Sequence, residues 1–186
     1  KSQIYPLTTT TYRSNSISSS FILLPNNQVD EFSHSLGPLI DMRIVAGTCK
    51  GAIITAPRGM KTRPTADKVR EAVFSMLGDV TGLVVLDLFA GSGALALEAI
   101  SRGAALADLV DSRTGAIRAM GANIEKLRFE NATAIRRDYL AFLKAGAKKE
   151  RRYNLIFVDP PYRMHRVIEP HLNRWLPQVA ATGGKV

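Results

Sequence analysis

The chain has 186 residues, 46% hydrophobic and 22% charged, enough apolar material for one core and too little charge bias for wholesale disorder. Its 25 Lys and Arg against 16 Asp and Glu give a net charge of +9. That excess suits polyanions, and nucleic acid is favoured over a membrane surface because no basic amphipathic helix with a strong apolar face stands out. No run approaches the ~18 apolar residues of a membrane span, and the single cysteine, Cys49, excludes an internal disulfide or a multi-cysteine zinc site. A soluble, cytoplasmic, metal-free monomer is the expectation.

In chain order, residues 1–41 come first and differ from the rest. Thr8 to Ser20 is almost wholly Thr, Ser, Asn, Tyr and Arg, with Ile17 its one aliphatic residue. Such a stretch cannot offset its ordering entropy by burial. It reads as a disordered or artefactual leader, an organelle transit peptide being the other reading. Only Lys1 and Arg13 among the basic residues, and Asp30, Glu31 and Asp41 among the acidic ones, precede Met42. The positive charge therefore belongs to residues 42–186, the expected domain.

From Met42 the pattern is regular. Arg43–Ala46 and Ala52–Thr55, separated by Gly47 and Gly51, predict a hairpin. A helix follows from Thr65 to Leu77, with Val69, Val73, Met76 and Leu77 on its apolar face and Gly78 ending it. The apolar run Leu83–Leu86 predicts a central parallel strand, and Ala94–Arg102 the next helix. The alternation continues with strand 106–110, helix 114–128, strand 133–137, helix 139–145, strand 155–158 and a helix from His165 to Leu176, bent or interrupted at Pro170. Gly183–Val186 reads as a turn and the first residue of one more strand. This alternation specifies an α/β fold, a doubly wound and mostly parallel sheet. Further C-terminal strands are expected to be missing, with an open edge beside strand 155–158.

Ligands of such sheets bind beyond the carboxyl ends of the strands. Asp87-Leu88-Phe89-Ala90-Gly91-Ser92-Gly93 lies there, with Gly91 and Gly93 allowing a tight turn and close backbone approach. Gly91-x-Gly93-x-x-Ala96 with Asp111 twenty residues on also fits a dinucleotide fingerprint. Asp87 separates the readings: a carboxylate there opposes a pyrophosphate and suits the cationic amino-acid end of S-adenosylmethionine. Asp111 can hold ribose hydroxyls in either case. Asp138 ends the next strand, where it can accept from an adenine amine or simply cap the helix at Tyr139, with Tyr139 or a neighbour flanking the ring.

Asp159-Pro160-Pro161-Tyr162 follows strand 155–158 on the same edge. Two prolines hold the preceding carbonyls stiffly. An exocyclic amine on a base is a poor nucleophile, because its lone pair is delocalised into the ring. A rigid carboxylate and a carbonyl accepting its two hydrogens enrich the nitrogen and aim it. Tyr162 offers the base a flat face, worth roughly 1–3 kcal/mol. A dehydrogenase reading leaves this loop unexplained.

Val85–Gly93 together with Asp159–Tyr162 resembles the class I amino-methyltransferases. More narrowly, Met42–Gly47, Thr62–Phe74 and Glu98–Ala104 resemble the RsmD family, which methylates a guanine exocyclic amine in bacterial small-subunit ribosomal RNA. The resemblance implies that Asp87, Phe89, Gly91 and Gly93 cradle S-adenosylmethionine, with Asp111 on its ribose and Asp138 near its adenine. It places Asp159, Pro160, Pro161 and Tyr162 at the target base, and Arg63 and Thr65 at the rim, where Arg63 meets a phosphate or pairs at the helix start. It implies ribosomal RNA or the small subunit as partner. Where the family has Glu, a residue and then Asp, this chain has Asp111-Ser112-Arg113. Methylation of a DNA base and a basic nucleic-acid-binding module without catalysis are the alternatives.

Overall fold

The computed structural model describes residues 9–14, 17–22, 42–57, 67–149 and 151–186, with backbone alone for the first two stretches and for Tyr162 and His165. Strands β1 (Thr9–Ser14) and β2 (Ile17–Ile22) pair antiparallel within the leader. The expected hairpin is present in shorter form: β3 (Met42–Arg43) and β4 (Ile53–Ile54) pair antiparallel around a turn with Gly47 and Gly51 at positive φ.

Helix α1 (Asp67–Leu77) presents a different face from the one read in the sequence. Arg70, Val73, Phe74 and Leu77 are buried, whereas Val69 is 38% and Met76 50% exposed. The reason is Arg70, whose guanidinium donates to the Arg43 carbonyl and to the Asp67 carboxylate, joining α1 to β3. A charged residue buried this way turns the helix, so Phe74 enters the core in place of Met76.

The main sheet follows as β5 (Val84–Asp87), α2 (Ala94–Ser101), β6 (Leu106–Asp111), α3 (Thr114–Leu127), β7 (Ala132–Arg136), α4 (Tyr139–Gly146) and β8 (Tyr153–Phe157). A short 3-10 turn at Tyr162–Met164 leads to α5 (His165–Trp175), which continues through Pro170 without interruption. The last strand, β9 (Ala180–Lys185), pairs parallel with β8. The Gly-Gly segment therefore lies inside a strand and is not a turn before one. Among the described residues the sheet's edge is at β9, not at β8 as the sequence suggested.

The order β7-β6-β5-β8-β9 is parallel throughout. It reverses direction between β5 and β8, the crevice where doubly wound folds bind ligands. Alternation along each strand feeds two cores. Val85, Ala107, Leu109 and Leu155 pack with α1, α2, α3 and the β3–β4 hairpin, while Leu86, Val110 and Ile156 pack with α4 and α5.

Candidate active site

Both sequence-predicted loops flank the β5–β8 crevice. Backbone bonds lace the strand ends together: Leu88 N–H to the Phe157 carbonyl at 3.0 Å, Ala90 N–H to Val110 at 3.1 Å and Arg137 N–H to Asp111 at 3.1 Å. Asp87, Asp111, Asp138 and Asp159 are thus held on one edge by four adjacent strands.

Asp87 is 2% exposed beneath the glycine loop. Burial, and then the charge of Asp159, push its carboxyl up to about 7, while the Ala96 and Phe89 amides pull partly back. The carboxyl is therefore shielded from open solvent. The loop itself is shaped by Gly91 at φ 59° and Gly93 at φ 81°. A Cβ on Gly93 would lie 2.5 Å from Leu109 Cδ2. The positive φ is what favours glycine here, as the tight turn read in the sequence expects, and a larger residue would also have to displace the Leu109 side chain on β6.

Asp111 is 6% exposed and heavily engaged. Its Oδ1 accepts from Arg113 N at 2.9 Å and Nε at 3.1 Å, and its Oδ2 from Arg113 Nη2 at 2.9 Å and Gly91 N at 3.1 Å. Burial works to raise its pKa, but the Arg113 hydrogen bonds outweigh that and hold the carboxyl below the usual range. A carboxylate has about four acceptor positions, so a ribose contact here requires Arg113 to withdraw. Arg113 stands where the resemblance leads one to expect an acid.

Asp138 caps α4: its Oδ1 accepts from Leu140 N at 3.0 Å and Ala141 N at 3.1 Å. The second oxygen remains available for another donor, so the cap does not exclude an adenine contact. Tyr139, by contrast, is buried, its hydroxyl 2.8 Å from His171 Nδ1. It cannot flank a ring; instead it backs Phe89, whose half-buried ring lies 5.2 Å away, centroid to centroid.

On the other side of the crevice Asp159 is exposed, Pro160 buried and Pro161 exposed, and the backbone of Tyr162 begins the 3-10 turn. An apolar pocket lined by Val73, Leu77, Leu95 and Phe157 opens beside Asp159. Arg63 and Thr65 lie outside the described residues. No group of His, Cys, Asp and Glu suited to a metal ion occurs among the described residues.

Sequence reasoning missed Asn123, which is 1% exposed on α3. Its amide donates to the Ser92 carbonyl at 2.9 Å and the Thr55 carbonyl at 3.0 Å, and its oxygen accepts from Thr55 N at 2.8 Å. One side chain thereby joins the glycine loop to the strand leaving the hairpin. Glu98, also buried, accepts from Val45 N and Ala46 N at 2.7 and 2.9 Å and fastens the hairpin to α2. Neither was legible, because each partner lies more than thirty residues away.

The comparisons with known proteins agree with this geometry. Residues 42–180 match the family model described as Conserved hypothetical protein 95. "Putative rRNA methyltransferase YlbH" of Bacillus subtilis is 41% identical over 128 residues, covering 68% of this chain and 70% of that protein. Ribosomal RNA small subunit methyltransferase D of Escherichia coli K12 is 39% identical over 123 residues, covering 66% of this chain and 61% of that one. The solved structure of a hypothetical protein of Thermus thermophilus superposes with a TM-score of 0.66 at 28% identity, covering 77% of this chain and 82% of that one. Matching over nearly all of the domain, the chain belongs to the Conserved hypothetical protein 95 family, the RsmD family of methyltransferases.

Proposed function

We propose that this chain is an S-adenosylmethionine-dependent methyltransferase acting on the exocyclic amine of a guanine in small-subunit ribosomal RNA. The observation that carries the reading is the placement of Asp87–Gly93 and Asp159–Tyr162 on the two sides of one crevice at the sheet's reversal point. The names of the Bacillus and Escherichia relatives supply the substrate class.

The residues fit the cofactor chemically. Burial raises Asp87, and neighbouring carboxylates raise it further. A cationic ligand relieves that repulsion and a pyrophosphate aggravates it. Asp87 and the loop through Gly91 and Gly93 would hold the amino-acid end, Asp111 the ribose, and Asp138 with Phe89 the adenine. When bound, the cofactor supplies an electrophilic methyl group.

Everything else falls to this chain. Asp159 and the backbone of the Pro160–Pro161 loop accept the two amine hydrogens, which draws the nitrogen lone pair out of conjugation and orients it. Asp159, exposed at the crevice, would take the proton that the amine loses on methylation and pass it to water. Tyr162, by its residue type, can supply a stacking face for the base.

Incubation with labelled S-adenosylmethionine and, separately, naked ribosomal RNA, small-subunit particles and duplex DNA tests the proposal. Label on a guanine amine of either RNA sample is expected. Label in DNA alone would overturn the substrate, and RNA binding with no label anywhere would overturn the reaction.

A further inference from the structure

The end of the sheet opposite the two loops carries a concentration of cations that the site does not use. Helix α4 ends there, and the loop into β8 follows. Lys144, Lys148, Lys149 and Arg152 are exposed, and Arg174 joins them from the last turn of α5. The aromatic ring of Trp175 holds the two helices' cations together: Lys144 Nζ lies 5.9 Å and the Arg174 guanidinium 5.3 Å from its centroid. Arg152 Nη1 donates to the Lys149 and Arg151 carbonyls and so folds the loop back on itself.

None of these five cations is paired with a carboxylate among the described residues. Glu150, the one acid in the run, lies outside the described residues. Arg151 is taken by Asp108, at 2.8 Å. A solvated face commonly interleaves signs, as α3 does with Arg118, Glu125 and Lys126. Like charges gathered in excess repel one another until an anion is brought in. Among the described residues the exposed large apolar side chains, Ile53, Val69, Met76 and Val167, all lie elsewhere. The cluster therefore lacks what a membrane-inserting surface needs.

We infer that this cluster is a second RNA-contact surface, gripping phosphates of the substrate at the far end of the sheet from the methyl-transfer crevice. The inference rests on the reading that the substrate is RNA. From Tyr153 at this end to Asp159 at the other is about 20 Å along an extended strand. The substrate must then be long or folded enough to reach both, which favours an extended RNA or a particle over an isolated short loop.

The test measures binding of the full chain to a fluorescent small-subunit ribosomal RNA fragment across a salt series. The K148E/K149E variant is compared with R118E/K126E, which changes net charge equally on α3. The cluster variant should bind about tenfold or more weakly, with the slope of log K against log salt shallower by about 2, one for each phosphate that is no longer gripped. The control should stay within about threefold. Unchanged melting temperature and S-adenosylmethionine affinity in both variants establish that fold and site are intact. Equal losses in the two variants, or no loss in either, would overturn the surface. Should the unaltered chain label no RNA while K148E/K149E still weakens RNA binding selectively, the proposed reaction fails and the surface stands. Labelling with no selective loss has the opposite meaning.

Discussion

Asp108 and Asp87 sit on neighbouring strands, each 2% exposed. Asp108 accepts from Tyr153 Oη at 2.6 Å and Arg151 Nη1 at 2.8 Å, and an opposite charge lies against it. Asp87, one strand over at the loop end, has other carboxylates for neighbours and is pushed up to about 7. One register position apart, the same residue type at the same depth is paired on one face of the sheet and raised by like charges on the other. A buried charge that the fold answers from within holds the fold together. One that meets only backbone amides and like charges is a candidate for a ligand's cation.

The sharpest way to break this contrast is at the crevice. Asp159→Ala should cut turnover by roughly 10²–10³, the scale of one preorganised polar contact, with S-adenosylmethionine affinity nearly unchanged in calorimetry. Normal turnover would reduce the loop to a simple turn. Asp87→Ala should weaken cofactor binding by about 10–100-fold, the worth of one charge-assisted contact. Retained affinity would show that its charge does not act on the ligand.

Asp108→Ala should do the reverse. It strands the buried Tyr153 hydroxyl and releases Arg151, costing about 1–3 kcal/mol in chemical denaturation, while cofactor affinity holds. A selective loss of cofactor affinity there would dissolve the contrast.

The pH dependence sharpens it further. A cation favours ionised Asp87, so the dissociation constant should rise about tenfold per pH unit below about 7. Asp87→Asn should flatten that profile. In the unliganded protein the sign for folding is set by the raised pKa. Asp87 contributes full stability below its ordinary value of 3.8 and loses that contribution as pH rises through about 7. The stability difference between the unaltered chain and Asp87→Asn should move accordingly. The smallest effect belongs to Arg113→Ala. It frees acceptor positions on Asp111 and should tighten cofactor binding a few-fold; a few-fold loss would mean that Arg113 holds the ribose acid in its working position.

Much of the fold was readable because the buried strands are unbroken apolar runs and the loops at their ends keep fixed spacings. Leu83–Leu86 and Leu155–Val158 announce themselves; Ala180–Lys185, with two glycines and no apolar run, is a strand only because β8 supplies a partner. The face of α1 was misread because pattern reading places arginine outside, and Arg70 is inside. The carboxylates of the site were legible as loop residues after strands. What engages them was not: the Arg113 clamp depends on side-chain direction, and the Asn123 bonds join segments that only the folded chain brings together.

Those Asn123 bonds have a consequence for regulation. Ser92 and Thr55 share one amide, so the glycine loop and the chain at Thr55 are tied through a single side chain. A substrate that shifts Thr55 on arrival would shift the loop as well. Linkage then requires reciprocity: whatever factor RNA adds to cofactor affinity, the cofactor adds to RNA affinity. Ordered binding, in which one partner prepares the seat of the other, would need no messenger beyond one asparagine.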